Sequence, residues 1–257
     1  METTTPANVG AALGREKAST NTKSMPLNPK ATQLIYLGII TAVALSVLAL
    51  AWPRLQASFR YLPVEFAIKR YFATREIPSD RLPVLIRFSE QALADHDHYR
   101  YHEGLSLLHY LRAQDAFTPA LERREAYRHA EAEAMASLQR APAQPSVWLR
   151  LATTRWILHD EPETIIQPWK MSIFTGRTDS ALFGPRVEMG LAHREFMDVE
   201  AVSMLRDQLL LTWRTRPSTL IRVLVRRDRQ LTVTRGLLEG TDPTALAEME
   251  ALIAKLR

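Results

Sequence analysis

The segment that decides the architecture is Leu34–Trp52, which reads LIYLGIITAVALSVLALAW. It runs for 19 residues without a charged side chain, and a helix of that length crosses the roughly 30 Å hydrocarbon core of a bilayer. Tyr36 and Trp52 lie near its two ends, where aromatic side chains favour the membrane interface. The sequence therefore predicts an uncleaved transmembrane helix, in preference to a buried core helix or a signal peptide.

The segments on either side of this span predict a tail and a connector. Residues 1–33 are polar and are expected to form a disordered N-terminal tail. Residues 53–80 are expected to form a juxtamembrane connector with a short amphipathic helix interrupted at Pro63. The apolar positions of this helix can either lie on anionic lipid or pack on the domain that follows. They are Leu55, Phe59, Leu62, Phe66, Ile68 and Phe72.

Membrane orientation and self-association are weakly specified by the sequence. Lysine and arginine residues are nearly balanced on the two sides of the span, so the positive-inside rule does not decide. We expect the commoner bacterial arrangement, a single-pass inner-membrane protein with its C-terminal domain in the periplasm. Small residues recur every four positions in the span, at Gly38, Ala42 and Ser46. Such a face can bring two helices together, which leaves a homo-oligomer open.

Composition predicts that residues 81–257 form a helical soluble domain. The chain is rich in Ala, Leu, Glu and Arg and holds only 9 glycines, which favours helix over strand. Hydrophobic residues make up 46% of the 257 residues, enough to bury a core. The absence of cysteine excludes disulfides, thiolate metal sites and cysteine nucleophiles. The net charge of +5 is too small to indicate nucleic-acid binding.

Prolines and capping residues divide this domain into successive helices. The expected helices cover residues 81–95, 99–114, 121–140, 147–159, 163–175, 181–195, 198–213, 217–227 and 244–256. Ser79-Asp80, Asp198 and Asp242 are the expected N-caps. Residues 219–234 carry enough β-branched side chains to pair as two strands, although their helical flanks favour helix. The predicted fold class is all-α: one transmembrane helix followed by helical hairpins.

Two consecutive helices between residues 121 and 160 carry a distinctive pattern. Small residues occupy one face of the first helix, at Ala130, Ala134 and Ser137. A proline ends that helix, and the next presents an aromatic, a leucine and a small residue, Trp148, Leu151 and Ala152. This junction resembles the tetratricopeptide repeat, in a degenerate form. The resemblance implies stacked hairpins whose surface binds a protein, as in bacterial membrane-anchored assembly factors and scaffolds of envelope complexes.

A histidine cluster is the candidate metal site. His98 and His102 are four residues apart and share a helix face, and His109 lies two turns further along it. Two histidines at that spacing can hold a divalent ion, with Asp95 or Glu103 as a third ligand. A polar helix start with solvent-facing histidines explains the cluster equally well, and no HExxH motif is present. We therefore predict no metal and no other cofactor.

An arginine-rich segment is the candidate partner-binding site. Arg222, Arg226 and Arg229 would form a stripe along a helix, and Trp213 lies nearby in the sequence. The stripe can bind lipid headgroups, an acidic protein or an anionic polysaccharide. The alternative is a solvated face whose arginine stems cover apolar surface. No nucleic-acid recognition motif accompanies these charges.

The sequence predicts a binding protein and not an enzyme. It contains no phosphate loop, dinucleotide-binding turn, nucleophile elbow or kinase signature. The expected function is a membrane-anchored scaffold or assembly factor that binds other membrane or envelope proteins, including those that make or export polysaccharide. Two alternatives remain open. One is a structural subunit that binds through its transmembrane helix, and the other is a metal-dependent enzyme that uses the histidine cluster.

Overall fold

The computed structural model describes residues 29–74 and 76–255, and these residues contain helices and turns but no strand. The predicted all-α fold class with one long apolar N-terminal helix is therefore confirmed. The helices are α1 (Pro29–Thr74), α2 (Leu82–Asp95), α3 (Tyr99–Gln114), α4 (Ala120–Arg140), α5 (Pro145–Leu158), α6 (Pro162–Thr175), α7 (Phe183–Ala192), α8 (Val199–Thr215), α9 (Pro217–Arg227), α10 (Thr232–Leu238) and α11 (Pro243–Ala254).

Helix α1 is long and apolar enough to cross a membrane, and it extends well past the predicted span. It has 46 residues and continues through Pro53 and Pro63, where the sequence predicted an end and an interruption. A proline removes one intrahelical hydrogen bond, but α1 also gains tertiary contacts in this part, because Ala57 and Val64 are fully buried. The helix begins at Pro29, so residues 29–33 of the predicted tail are helical. The rest of that prediction, residues 1–28, lies outside the described residues.

The chain divides into two compact units at Leu50 and Ala51. In the first unit, every residue from Gln33 to Leu50 is exposed. A run of exposed apolar side chains on a helix is the surface that a lipid environment requires.

The second unit contains two large apolar cores. One joins the C-terminal part of α1 to α2 and α3, and the other joins α5 through α11. Between them, α3 packs closely on α4, α4 on α5, and α5 on α6. Ala130 and Ala134 are fully buried, and the Ser106 hydroxyl donates a 2.8 Å hydrogen bond from α3 to the Ala130 carbonyl. Small residues thus bring α3 and α4 together. The resemblance to the tetratricopeptide repeat stays a prediction.

The predicted helix starts have mixed outcomes. Asp198 and Asp242 are confirmed as N-caps, since each side chain accepts a hydrogen bond from a backbone N–H in the first turn. The predicted cap at Ser79-Asp80 is wrong, because these residues form a short 3-10 turn and α2 begins without a side-chain cap.

The ambiguous segment 219–234 is helical, as the flanking residues suggested. It consists of α9, a turn and the first residues of α10. The buried Asp228 in the turn accepts hydrogen bonds from the Val233 and Thr234 N–H groups and the Thr234 hydroxyl, at 3.3, 2.7 and 2.7 Å. This carboxylate satisfies donors at the start of α10 and so favours a helix over a second strand.

Candidate functional site

One face of the C-terminal part of α1 packs on the rest of the second unit. Ala57, Tyr61 and Val64 are buried against apolar side chains of α2 and α3. The centroid of the Tyr61 ring lies 4.7 Å from that of Tyr101, and the Tyr61 hydroxyl donates a 3.0 Å hydrogen bond to the Arg100 carbonyl. These contacts hold α1 in one rotation about its axis and therefore determine which face it presents outward.

The outward face of this segment is apolar. It carries five side chains spaced alternately by three and four residues, here called the α1 stripe: Trp52, Leu55, Phe59, Leu62 and Phe66. Their exposed fractions lie between 40% for Leu62 and 67% for Phe66. At 3.6 residues per turn they fall within an arc of about 80°, roughly opposite the buried face. A solvated helix normally carries polar side chains on such a face, so the α1 stripe is the candidate binding surface of this segment.

An apolar groove lies beside the α1 stripe, between α1 and α2. It has a volume of about 610 Å³, and Phe66, Val84 and Phe88 contribute to its lining. Charged side chains such as Arg70 and Arg81 also line it. A groove of this kind can receive large apolar side chains of a bound segment.

The predicted arginine stripe is only partly assembled. Arg222 and Arg226 line a groove of about 630 Å³ between α7 and α9, and Arg226 forms a 3.0 Å ion pair with Glu188. Arg229 lies beyond the end of α9 at Arg227, so it cannot continue a helical stripe.

Trp213 is not part of the groove between α7 and α9. It lies on α8, packs on the larger core, and donates its indole N–H to Glu248 of α11 at 3.3 Å. The stripe of three arginines with a nearby tryptophan is therefore reduced to two arginines, of which one is paired.

The histidines of the candidate metal cluster have separate structural roles. The Nδ1 of His98 accepts a 3.3 Å hydrogen bond from the Arg100 backbone N–H at the start of α3. The His102 ring nitrogens lie 2.6 Å from Glu133 and 3.0 Å from Asp97. Burial disfavours the charged ring of His102, but the hydrogen bonds to these two carboxylates outweigh it and raise its pKa.

The third candidate, His109, is buried in a different environment. Its ring stacks on His129 of α4, with 5.1 Å between the ring centroids, and its Nδ1 has no hydrogen-bond partner among the described residues. Burial, with His129 beside it, lowers the pKa of His109 to about 4. In residues 29–74 and 76–255, no group of three or more histidine, aspartate or glutamate side chains is placed to hold a metal ion.

The sequence pattern indicates the apolar residues of α1 but not the groove beside them. Val84 and Phe88 belong to α2, and only the packing of α2 on α1 shows that they lie next to Phe66. No sequence signal pairs these residues, because the two helices are separated by a turn whose geometry the pattern does not define. The comparisons with known proteins add no family, since no protein-family model and no curated protein matches this sequence.

Proposed function

We propose that this protein is a membrane-anchored subunit or assembly factor of a cell-envelope complex, and that it binds another membrane protein through the α1 stripe. The observation that carries the proposal is the row of five exposed apolar side chains at alternating three- and four-residue spacing. This is the spacing of the seam between two helices that pack side by side. The proposed partner therefore contributes a helix that runs along α1 and has an apolar face of its own.

A partner helix accounts for the α1 stripe better than lipid does. Phe66 follows Trp52 by 14 residues, which is about 21 Å along a helix. The headgroup layer on each side of a bilayer is only about 5–8 Å thick. A bilayer whose hydrocarbon core ends near Trp52 can thus cover Leu55 on an upright helix, but it cannot reach Phe66. The charged residues Arg60 and Lys69 within the same segment also favour a position outside the hydrocarbon core.

Site-specific crosslinking in the native membrane tests this proposal. A photoreactive amino acid replaces Phe59 or Phe66 in the full-length chain, and the same amino acid replaces Phe117 as a control. Phe117 is 90% exposed but lies in the turn between α3 and α4, away from the α1 stripe. We expect one protein to be captured from both α1 positions and not from Phe117.

The other crosslinking outcomes contradict the proposal. A crosslinked product that contains two copies of this chain would show that the α1 stripe forms a homodimer contact and not a contact with a separate membrane protein. Crosslinks to lipid alone would show that the stripe lies on the membrane. As a second measurement, the Phe59→Gln/Phe66→Gln variant should lose the captured partner on purification, while Phe117→Gln should retain it. These positions are exposed, so the variants should fold.

The proposal includes a single-pass inner-membrane location with the C-terminal domain in the periplasm, because short N-terminal tails are commonly cytoplasmic. The chain contains no cysteine, so a single Phe117→Cys substitution gives a unique labelling site. A maleimide that cannot cross the inner membrane should label this cysteine in intact spheroplasts. Labelling that requires disruption of the membrane would place the domain in the cytoplasm. A role of the complex in polysaccharide synthesis or export stays a prediction.

A further inference from the structure

Among the described residues of the second unit two arginines are buried, and they differ in how their guanidinium groups are satisfied. Arg186 of α7 is fully buried. Its Nε donates to the Ser172 hydroxyl at 3.0 Å and its Nη1 donates to the Gly176 carbonyl at 2.9 Å. Its Nη2 donates to the Ser172 carbonyl. Every nitrogen of this guanidinium therefore has a protein acceptor, and Arg186 holds α6 and α7 together.

Arg150 of α5 lacks this set of acceptors. It is only 9% exposed, and its hydrogen bond within the described residues runs from Nη1 to the Glu103 carbonyl at 2.9 Å. Among those residues no carboxylate oxygen lies within 4.0 Å of its nitrogens. Burial lowers the pKa of Arg150 and the charge of Glu103 opposes this shift. The other guanidinium nitrogens of Arg150 are not among the fully buried atoms that lack a hydrogen-bond partner, so they reach accessible space in which an anion can accept their N–H groups.

Arg150 contributes to the lining of a cavity of about 210 Å³ between α1, α3 and α5. The apolar part of the lining consists of Ile68, Phe72, Gly104 and Leu107, together with the ring of Tyr61. Gly104 lets the Tyr61 hydroxyl approach α3 closely, because a Cβ at this position would collide with that hydroxyl.

Three other charged side chains around the cavity, Glu65, Lys69 and Arg100, are already paired with each other. Glu65 accepts from Lys69 at 2.9 Å and from Arg100 at 3.4 Å. Arg150 is therefore the cation of this lining that has no carboxylate partner among the described residues. Glu103 is the acid of the lining that forms no ion pair with the other lining residues.

We propose that this cavity binds one small anion, a phosphate or carboxylate group, on the free N–H groups of Arg150. The planar guanidinium presents donors in the geometry that carboxylate and phosphate oxygens accept in pairs. The cavity is smaller than the roughly 300–1,000 Å³ of pockets that hold drug-sized ligands, so it accommodates the anionic group with few further atoms. The site is independent of the α1 stripe, which lies on the opposite face of α1.

Isothermal titration calorimetry on the full-length chain in detergent micelles tests the site. Inorganic phosphate and acetate are titrated separately, with chloride at matched ionic strength as the reference. We expect one saturable site for at least one of the two anions, and the anion that binds identifies the chemical group. The absence of saturable binding for both would overturn the proposal.

Three variants separate a binding role of Arg150 from a structural one. Arg150→Gln should weaken anion binding by about tenfold or more, because it removes the charged donor. Arg186→Gln removes the other buried guanidinium and should leave anion affinity unchanged in the fraction that folds. Glu103→Gln removes a competing negative charge at a partly exposed position, so it should fold and bind the anion more tightly. Unchanged affinity in Arg150→Gln, or weaker affinity in Glu103→Gln, would contradict the assignment.

Discussion

Replacement of Gly104 by alanine should destabilise the protein, even though alanine is the better helix former. Gly104 is buried within α3. A Cβ at this position would collide with the Tyr61 hydroxyl and would lie 2.9 Å from Tyr61 Cζ and 3.2 Å from Ile68 Cδ1. Tyr61 has little freedom to move away, because its ring packs on Tyr101 and its hydroxyl donates to the Arg100 carbonyl.

The expected size of the effect follows from three contributions. Overpacking of a well-packed core costs about 1–3 kcal/mol. Displacement of the Tyr61 hydroxyl from the Arg100 carbonyl costs about 1 kcal/mol. The change from glycine to alanine in a helix stabilises by about 1 kcal/mol. The free energy of unfolding of Gly104→Ala should therefore be lower than that of the wild type by about 1–3 kcal/mol.

Gly236→Ala is the matched control for this measurement. Gly236 lies in α10, and a Cβ there meets no atom within 4 Å. The same substitution should therefore stabilise the protein by about 0.5–1 kcal/mol. Urea unfolding of the full-length chain in micelles, followed by tryptophan fluorescence, gives both differences. Addition of Tyr61→Phe to Gly104→Ala should recover part of the loss, and a Gly104→Ala variant as stable as the wild type would refute the close packing of α1 on α3.

Four further predictions concern single side chains. Arg186→Met should lower the free energy of unfolding by about 3 kcal/mol in the same urea assay, because it leaves buried oxygens without donors; a loss below about 1 kcal/mol would contradict its role. His159 ends α5 with φ of 61°, so His159→Gly should raise the unfolding temperature by a few degrees, equivalent to about 1 kcal/mol, and no change would show that the left-handed residue is unstrained. His102 stabilises the fold fully below pH about 6.5 and loses this contribution as the pH rises through its raised pKa. Because the pKa of His109 is lowered to about 4, the free energy of unfolding should fall by about 2 kcal/mol as the pH drops from 6.5 to 5. Urea unfolding of His102→Gln and His109→Gln as a function of pH measures both effects. If the variants and the wild type lose stability in parallel with pH, both predictions are wrong.

The positions of the helices were largely predictable because local signals mark their ends. Asp198 and Asp242 cap α8 and α11 through their own side chains, and such a contact depends on only a few neighbouring residues. The continuation of α1 was not predictable from the same kind of rule. Its prolines predict a stop, but Ala57 and Val64 are buried by side chains of α2 and α3. That stabilisation comes from residues distant in the sequence.

The candidate site was predicted in part. The apolar spacing of the connector permitted two interpretations, a helix that lies on anionic lipid or a helix that packs on the following domain. Ile68 packs on the core, as the second interpretation expects, whereas Phe59 and Phe66 are exposed. Periodicity shows that a helix has apolar faces, but it does not show which face the domain uses. Arg150 had no sequence signal at all, because its burial depends on the cavity that α1, α3 and α5 form together.

The histidines of α3 show why ligand spacing alone was a poor guide to function. His102 and His109 are seven residues apart, so they lie on nearly the same face of the helix. Their environments nevertheless favour opposite protonation states. The carboxylates of Glu133 and Asp97 already occupy both nitrogens of His102, whereas His109 is buried and its lowered pKa keeps it neutral at pH 7. A metal ion would have to displace both carboxylates from His102 to use its ring. The effects of these two residues also oppose each other with pH, because acid destabilises the fold through His109 and alkali removes the contribution of His102. Both effects arise from contacts between α3 and α4, because His102 binds Glu133 and His109 stacks on His129.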